Sequence, residues 1–237
     1  MRPRGQARMR LLNRLNSSQP MADRMRDKAE KLVSTIGGQP VIPVLKIGRL
    51  ADAVPLARAL ARGGLPVIEI TLRTEDALDA IRLVNAEVPE AVTGAGTILN
   101  PHHFADAVSA GAKFIVSPGT TQELLDIARD SDVPMLPGAV TPSEIMAMRE
   151  EGYSILKFFP AEQAGGAAYL KSLSSPFQGI RFCPTGGIGP NNAADYLALP
   201  NVICVGGSWV APDGLVADGK WDEIEALART ASGLGSK

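Results

Sequence analysis

One lysine stands inside a short apolar segment, and this combination can do chemistry. Lys157 lies between Gly152 and Pro160 in a run that includes two consecutive phenylalanines, which predicts a buried strand. An isolated ammonium group in a low-dielectric interior must be paired or give up its proton. Two interpretations are therefore open: a structural lysine paired with a buried carboxylate, or an uncharged amine that attacks a carbonyl carbon.

A second strand-like segment carries polar side chains at every other position. Glu69, Thr71 and Arg73 alternate with apolar residues, so they share one face of the strand. The apolar face suits a layer of helices, and the polar face is expected to point into a barrel. A structural ion pair of Glu69 with Arg73 or with Lys157 is one interpretation. The other is that Glu69 and Lys157 converge from different strands near a functional rim.

Two glycine-rich turns follow the seventh and eighth predicted strands. The first contains Gly186 and Gly187, and the second is Gly206-Gly207-Ser208. Backbone N–H groups at such turns, with a helix N-terminus behind them, can hold an anion. Glycine also serves tight turns, but two such turns at these positions of a barrel favour a phosphate-bearing ligand.

The third predicted strand ends in a further glycine-containing run. Gly94 and Gly96 precede Thr97, which supplies a hydroxyl group. The glycines either let a substrate approach the backbone or serve packing, and this run alone does not decide between the two. His102 and His103 follow at the start of a helix predicted over 104–110 and are expected to be solvated.

The segments that position these residues repeat along the chain. Eight short apolar runs alternate with helical patterns at separations of 20 to 26 residues, which predicts parallel β/α units. The main alternative, an open doubly wound sheet, lacks its G-x-G-x-x-G fingerprint after the first strand. We therefore predict an α/β fold, a single-domain (β/α)8 TIM barrel over 21–237 with an extra N-terminal helix. The predicted strand centres are Ile42, Ile68, Thr93, Ile115, Met135, Leu156, Phe182 and Ile203. Pro43 is interpreted as the start of the first strand.

Composition excludes several functional classes. The 237 residues are 45% hydrophobic and 21% charged with a net charge of −1, which gives no support for a nucleic-acid or membrane-surface partner. No apolar stretch approaches the roughly 18 residues of a membrane-spanning helix. The only two histidines are adjacent, so a metal site is not expected. Cys183 and Cys204 are expected to be buried thiols in a reducing compartment.

Residues 1–20 differ from the rest of the chain. They contain five arginines and no acidic residue, without a periodic apolar face or the apolar core of a secretory signal. This composition resembles an organelle transit peptide. A disordered basic extension is the simpler interpretation, with Met21 able to begin the domain.

Several motifs in order resemble the class I 2-keto-3-deoxy-6-phosphogluconate (KDPG) aldolases, which often also cleave 4-hydroxy-2-oxoglutarate. The motifs occupy 69–74, 94–97, 157–162, 181–188 and 205–209. The Lys-Phe-Phe-Pro and Phe-Cys-Pro-Thr-Gly-Gly blocks are specific, whereas the glycine blocks alone are not. The resemblance extends over roughly 25–232 and leaves the N-terminal 20 residues outside.

The resemblance implies a mechanism and a set of site residues. Lys157 is implied to form the Schiff base, and Glu69 to be the general acid and base. A carboxylate and pyruvyl pocket is implied for Arg73, Thr97, Phe159 and Thr185, and a phosphate site for Gly186, Gly187, Gly206, Gly207 and Ser208. Lys46 stands where several family members carry arginine, and lysine keeps the charge but not the bidentate geometry.

The resemblance also implies a cellular role. It implies a cytoplasmic homotrimer of the Entner–Doudoroff pathway that needs no metal or cofactor. Its partners are small molecules, namely pyruvate and a phosphorylated 2-keto-3-deoxy sugar acid.

Three other functions share some of these features. A barrel isomerase or epimerase acting on a sugar phosphate would use the phosphate turns without a nucleophilic lysine. A non-catalytic phosphate-binding protein would have no use for Glu69 and Lys157 together. An aldolase specific for the galactonate-derived C4 epimer is the nearest alternative, because epimer choice depends on hydroxyl contacts.

Overall fold

Eight short parallel strands form the centre of the molecule. The computed structural model describes residues 23–235, so the prediction about residues 1–20 lies outside the described part. The strands are β1 (Val41–Leu45), β2 (Val67–Thr71), β3 (Val92–Gly96), β4 (Ile115–Val116), β5 (Met135–Leu136), β6 (Ile155–Phe158), β7 (Arg181–Pro184) and β8 (Val205–Gly207).

The strands close into a barrel. Six of them form a continuous sheet in the order β5-β4-β3-β2-β1-β8, and β6 pairs with β7. Parallel bridges between Gly138 and Lys157 and between Thr185 and Gly206 join the two sheets. At the first junction the Lys157 backbone N–H donates to the carbonyl of Pro137 at 2.8 Å. The predicted eight-stranded α/β barrel is therefore confirmed.

Helices surround the strands. They are α1 (23–36), α2 (Ala53–Arg62), α3 (Ala77–Glu87), α4 (Pro101–Ser109), α5 (Gln122–Asp130), α6 (Pro142–Glu150), α7 (Gly166–Leu173), α8 (Ala193–Leu197), α9 (Asp213–Ala217) and α10 (Trp221–Ser232). Short 3-10 turns cover Leu50–Asp52 and Gly233–Gly235.

Side-chain caps fix where some helices begin. The Thr141 hydroxyl accepts from the backbone N–H of Glu144, whose carboxylate accepts from the Thr141 N–H in return, so α6 starts with a capping box. Asn100 caps α4 by accepting from the N–H of His103. The cap starts α4 three residues earlier than predicted, so both histidines lie in its first turn.

The barrel interior is apolar below the site. Leu32 and Ile36 of α1 pack at the bottom of this inner cluster. The strand residues of the cluster are Ile42, Val67, Phe114, Val116, Leu136, Ile155, Cys183 and Cys204. Lys28 of α1 donates to the carbonyls of Ala128 and Arg129 at the end of α5. The predicted extra helix therefore closes the N-terminal end of the barrel.

Two details of the strand assignment were wrong. Pro43 lies in the middle of β1 rather than at its start. It is tolerated because β1 changes partner there: Pro43 is in register with Gly207 of β8, and the register with β2 begins at Val44. Ile203 lies two residues before β8, which starts at Val205.

The two cysteines lie side by side inside the barrel. Cys183 and Cys204 are free and buried, with their Sγ atoms 3.6 Å apart. The hydrogen bond to the Cys183 sulfur, followed by burial, raises the pKa of Cys204, so this group stays protonated at neutral pH. Among residues 23–235, no helix has both the length and the apolar character needed to cross a membrane.

Candidate active site

A lysine and a glutamate meet inside the barrel from opposite walls. Lys157 is on β6 and Glu69 is on β2, which lie four strands apart in the closed barrel. The Lys157 Nζ atom is 3.3 Å from Glu69 Oε1, and the residues are 3% and 4% exposed. Alternation predicted that Glu69 points inward, and convergence with Lys157 was one of the two interpretations; the structure brings the two side chains together. Of the two ion pairs considered for Glu69, the structure contains the one with Lys157.

The position of the Glu69 carboxylate depends on the absence of a side chain at Gly96. A Cβ atom on Gly96 of β3 would lie 2.0 Å from Glu69 Oε1 and 2.7 Å from the carboxyl carbon. A Cβ on Gly94 would lie 2.3 Å from the ring of Phe114. Both glycines therefore make room for neighbouring side chains, which supports the packing interpretation of this run.

An aromatic ring lies beside the lysine. The Nζ atom is 5.5 Å from the centre of the Phe159 ring, within the range of a cation–π contact. Phe159 follows Lys157 by two residues and lies on the same side of the strand. The amine is therefore held between a carboxylate and an aromatic face.

Arg73 and Thr97 form a polar contact where β2 and β3 end. The Arg73 Nε group donates to the Thr97 hydroxyl at 3.0 Å. Thr97 has a φ of 60°, a conformation that costs energy for a β-branched residue and tends to occur at functional sites. The bond uses Nε, so the two terminal nitrogens of the guanidinium can still bind a carboxylate as a fork.

A cavity of about 250 Å³ opens at the carboxyl ends of the strands. Its lining includes the predicted site residues Arg73, Phe159, Thr185, Gly186, Gly187, Gly206, Gly207 and Ser208, together with Thr71. The predicted residue Thr97 does not line it and adjoins it through the bond to Arg73. Glu69 and Lys157 do not line it, because they lie two residues deeper along their strands, or about 6.6 Å. The reactive pair is thus at the base and the glycine turns are at the rim.

The glycine turns at the rim require glycine. Gly186 and Gly187 have φ angles of 100° and 74°, in the left-handed region. A Cβ on Gly206 would lie 2.3 Å from the Thr185 hydroxyl, and one on Gly207 would lie 1.7 Å from the ring of Trp209. The turns can therefore present backbone N–H groups to the cavity.

Sequence reasoning missed one charged residue of the cavity. Asp213, the first residue of α9, contributes to the lining together with Lys46. No strand or helix periodicity marks Asp213, because it reaches the rim through the irregular connection after β8. Within residues 23–235 no group of three His, Cys, Asp or Glu side chains is arranged to hold a metal ion.

Comparison with known proteins decides the family. The family model described as "KDPG and KHG aldolase" matches residues 33–227. The chain belongs to this family.

Individual members of the KDPG and KHG aldolase family are similar over most of the chain. The 2-dehydro-3-deoxy-phosphogluconate aldolase of Pseudomonas aeruginosa is 54% identical over 191 residues, 81% of this chain and 87% of that protein. The KHG/KDPG aldolase of Escherichia coli K12 is 49% identical over 203 residues, 86% of this chain and 94% of that protein.

A solved structure extends the similarity to three dimensions. The KDPG aldolase of Legionella pneumophila, with pyruvate captured at low pH as a covalent carbinolamine, has a TM-score of 0.82 and 46% identity. The match covers 84% of this chain and 97% of that chain. The resemblance seen in the motifs is therefore confirmed, and this aldolase is a lyase of the Schiff-base class.

Proposed function

We propose that the protein cleaves KDPG to pyruvate and D-glyceraldehyde 3-phosphate through a Schiff base on Lys157. The observation that carries this proposal is the buried contact of Lys157 with Glu69, two residues below the rim cavity along their strands. A nucleophile and an acid–base group in hydrogen-bond reach are what amine catalysis on a ketone requires.

The first chemical step uses the proton shared by the pair. Transfer of a proton from Nζ to the Glu69 carboxylate leaves a neutral amine, which attacks the C2 ketone of the substrate. The resulting carbinolamine loses its hydroxyl group as water, with Glu69 returning the proton. The product is an iminium ion between Nζ and C2, and its positive nitrogen is an electron sink.

The second step breaks the carbon–carbon bond. Glu69 removes the proton of the C4 hydroxyl, the C3–C4 bond breaks, and its electron pair moves into the iminium to give an enamine. Glyceraldehyde 3-phosphate leaves with the new carbonyl at C4. Glu69 then protonates C3, and water releases pyruvate and restores the amine.

The rest of the site holds the two ends of the substrate. Arg73, Thr97 and Thr185 bind the carboxylate beside C2, and Phe159 walls the pyruvyl pocket. The turns Gly186-Gly187 and Gly206-Gly207-Ser208 hold the phosphate on the opposite side of the cavity. This assignment is supported by the lining of the cavity, which contains all of these residues except Thr97, and by the exposure of Arg73 and Ser208 at its rim. Thr97 is included because it accepts a hydrogen bond from Arg73.

The same residues also serve a shorter substrate. We propose a second activity, cleavage of 4-hydroxy-2-oxoglutarate to pyruvate and glyoxylate. This substrate presents the same 2-keto acid to Lys157 and Arg73 but has no phosphate for the turns. The double name of the Escherichia coli relative supports this activity.

The assembly and location are also part of the proposal. We propose a cytoplasmic homotrimer that serves the Entner–Doudoroff pathway and takes small-molecule partners only. Leu99 and Met146 are 54% and 55% exposed, which makes them candidates for burial between subunits. Light scattering coupled to gel filtration tests the trimer, and the mass of a single chain would contradict it.

Borohydride reduction in the presence of pyruvate tests the Schiff base. We expect mass spectrometry to place one reduced pyruvate adduct on Lys157. Lys28, the other buried lysine within residues 23–235, is an internal control and should stay unmodified. An adduct on another lysine, or none, would overturn the mechanism.

A further inference from the structure

One side chain outside the cavity holds the Gly186-Gly187 turn in place by hydrogen bonds. The Asn192 Nδ2 group donates to the carbonyl of Gly187 at 3.1 Å, and its Oδ1 atom accepts from the N–H of Gly189 at 2.8 Å. Asn192 therefore bridges two backbone groups of the loop between β7 and α8. It does not line the cavity.

A second set of hydrogen bonds, made by Glu162, also holds the turn in place. The backbone N–H of Glu162 donates to the carbonyl of Gly186 at 3.1 Å. The Glu162 carboxylate accepts a hydrogen bond from the Tyr196 hydroxyl, and Tyr196 is 1% exposed in α8. Burial and the neighbouring carboxylate raise the pKa of Tyr196, so the phenol keeps its proton and remains a donor.

The Glu162 side chain also fills the space beside the turn. A Cβ on Gly187 would lie 2.6 Å from Glu162 Cγ, so the two residues are in close contact. Tyr196 thus holds Glu162, and Glu162 holds the turn. Like Asn192, neither side chain lines the cavity.

Two adjacent glycines need such fastening if their N–H groups are to hold an anion. Glycine adopts left-handed and right-handed backbone conformations with similar ease, so a Gly-Gly turn alone does not keep one geometry. A phosphate cradle needs its N–H groups fixed in direction before the ligand arrives. Loosening the turn would weaken phosphate binding and leave Lys157 and Glu69 unchanged.

We propose that Asn192 and the Glu162–Tyr196 pair are positioning residues that hold the Gly186-Gly187 turn in its phosphate-binding geometry. This inference rests on the proposed function, since it assumes that the turn receives the substrate phosphate. It extends that function by assigning the preference for phosphorylated substrate to residues that do not touch the substrate.

Substitution of Asn192 tests the first fastening, with a matched control elsewhere in the barrel. Asn85 Nδ2 donates to the carbonyl of Gly111 at 3.0 Å, and Gly111 has a φ of 94°, so the two asparagines make the same kind of contact. Asn192→Ala removes both hydrogen bonds, each worth about 0.5–1.5 kcal/mol, and should raise KM for KDPG about tenfold. Its kcat/KM for 4-hydroxy-2-oxoglutarate should stay within about twofold of wild type, because this substrate has no phosphate for the turn to bind. Asn85→Ala should leave the ratio of the two substrates unchanged.

Substitution of Tyr196 tests the second fastening without disturbing the core. Tyr196→Phe keeps the ring and removes the donor to Glu162. Tyr169→Phe is its control, because the Tyr169 hydroxyl donates to the carbonyl of Val140 and not to the turn. We expect Tyr196→Phe, but not Tyr169→Phe, to raise KM for KDPG selectively. Equal losses on both substrates, or an equal effect of either control variant, would overturn the proposal.

Inorganic phosphate gives a readout that does not depend on the reaction. Wild type should show a rise in Tm with phosphate, and Asn192→Ala and Tyr196→Phe should show a smaller rise. An unchanged rise in both variants would overturn the positioning role. Failure of the proposed function can be distinguished from failure of the positioning role. The first would appear as absent KDPG cleavage by wild type, whereas the second would appear as an unchanged response of the variants to phosphate.

Discussion

The Gly96→Ala variant tests the reactive pair through a residue that does no chemistry itself. The new methyl group would lie 2.0 Å from Glu69 Oε1, whereas ordinary van der Waals contact begins at 3.4 Å. Gly96 has no left-handed φ, so alanine fits its backbone. The substitution therefore acts by displacing the Glu69 carboxylate.

The size of the effect follows from these distances. The Glu69 oxygen must retreat by about 1.4 Å, the difference between 3.4 and 2.0 Å, to restore normal contact. The Nζ–Oε1 distance is already 3.3 Å, so most such movements end the hydrogen bond. A misplacement near 1 Å costs about 10²-fold in rate, and complete loss of acid–base catalysis costs up to about 10⁴-fold. We expect kcat of Gly96→Ala to fall by about 10²-fold or more.

A coupled assay of pyruvate release measures kcat, and a double variant identifies the cause. Glu69→Gln should be slower than wild type by about 10²–10⁴-fold. If Gly96→Ala acts through Glu69, adding it to Glu69→Gln should cause little further loss. Gly38→Ala is the control, since nothing lies within 4 Å of its added Cβ. Near-native kcat in a folded Gly96→Ala enzyme would refute this reasoning, as would fully additive losses in the double variant.

Three further predictions concern other residues. Lys157→Ala should abolish turnover because it removes the amine that contacts Glu69, and near-native pyruvate release would contradict this role. Ser208→Ala should raise KM for KDPG much more than for 4-hydroxy-2-oxoglutarate, and equal changes would place the phosphate elsewhere. Burial, followed by the charge of Arg24, lowers the pKa of Lys28 to about 8 from 10.5. The unfolded chain therefore binds this proton where the folded protein does not, and stability should rise between those two pH values. In urea unfolding, the free energy of unfolding of wild type should rise relative to that of Lys28→Met over this pH range. A constant difference would argue against the lowered pKa of Lys28.

The fold followed from local patterns because a (β/α)8 barrel repeats one local unit. Alternation along β2 predicted that Glu69 points inward, and its convergence with Lys157 of β6 was one of the two interpretations left open. Two inward residues near the same end of a narrow barrel must lie close together. The errors at Pro43 and Ile203 have a different origin. Strand limits depend on which neighbour is paired at each residue, and the sequence of one strand does not contain that information.

The parts of the site that were not predicted depend on contacts between distant segments. Tyr196 and Glu162 are 34 residues apart, and neither lies in a pattern that points to the other. The sequence allowed two roles for Gly96, substrate approach or packing, and only the position of the Glu69 carboxylate beside it decides between them. Asp213 reaches the cavity through an irregular connection. Such contacts arise from tertiary packing, which periodicity does not encode.

The extra helix α1 contributes to the site although it lies at the other end of the barrel. Beneath Lys157 the interior is filled by apolar residues such as Ile155, and Leu32 and Ile36 of α1 close it from below. Because that end is filled, substrate and water reach the amine from the cavity side. An apolar interior withholds the hydration that stabilises separated charges. A proton passed from Lys157 to Glu69 leaves both groups uncharged, so the closed lower end of the barrel is part of what makes the pair reactive.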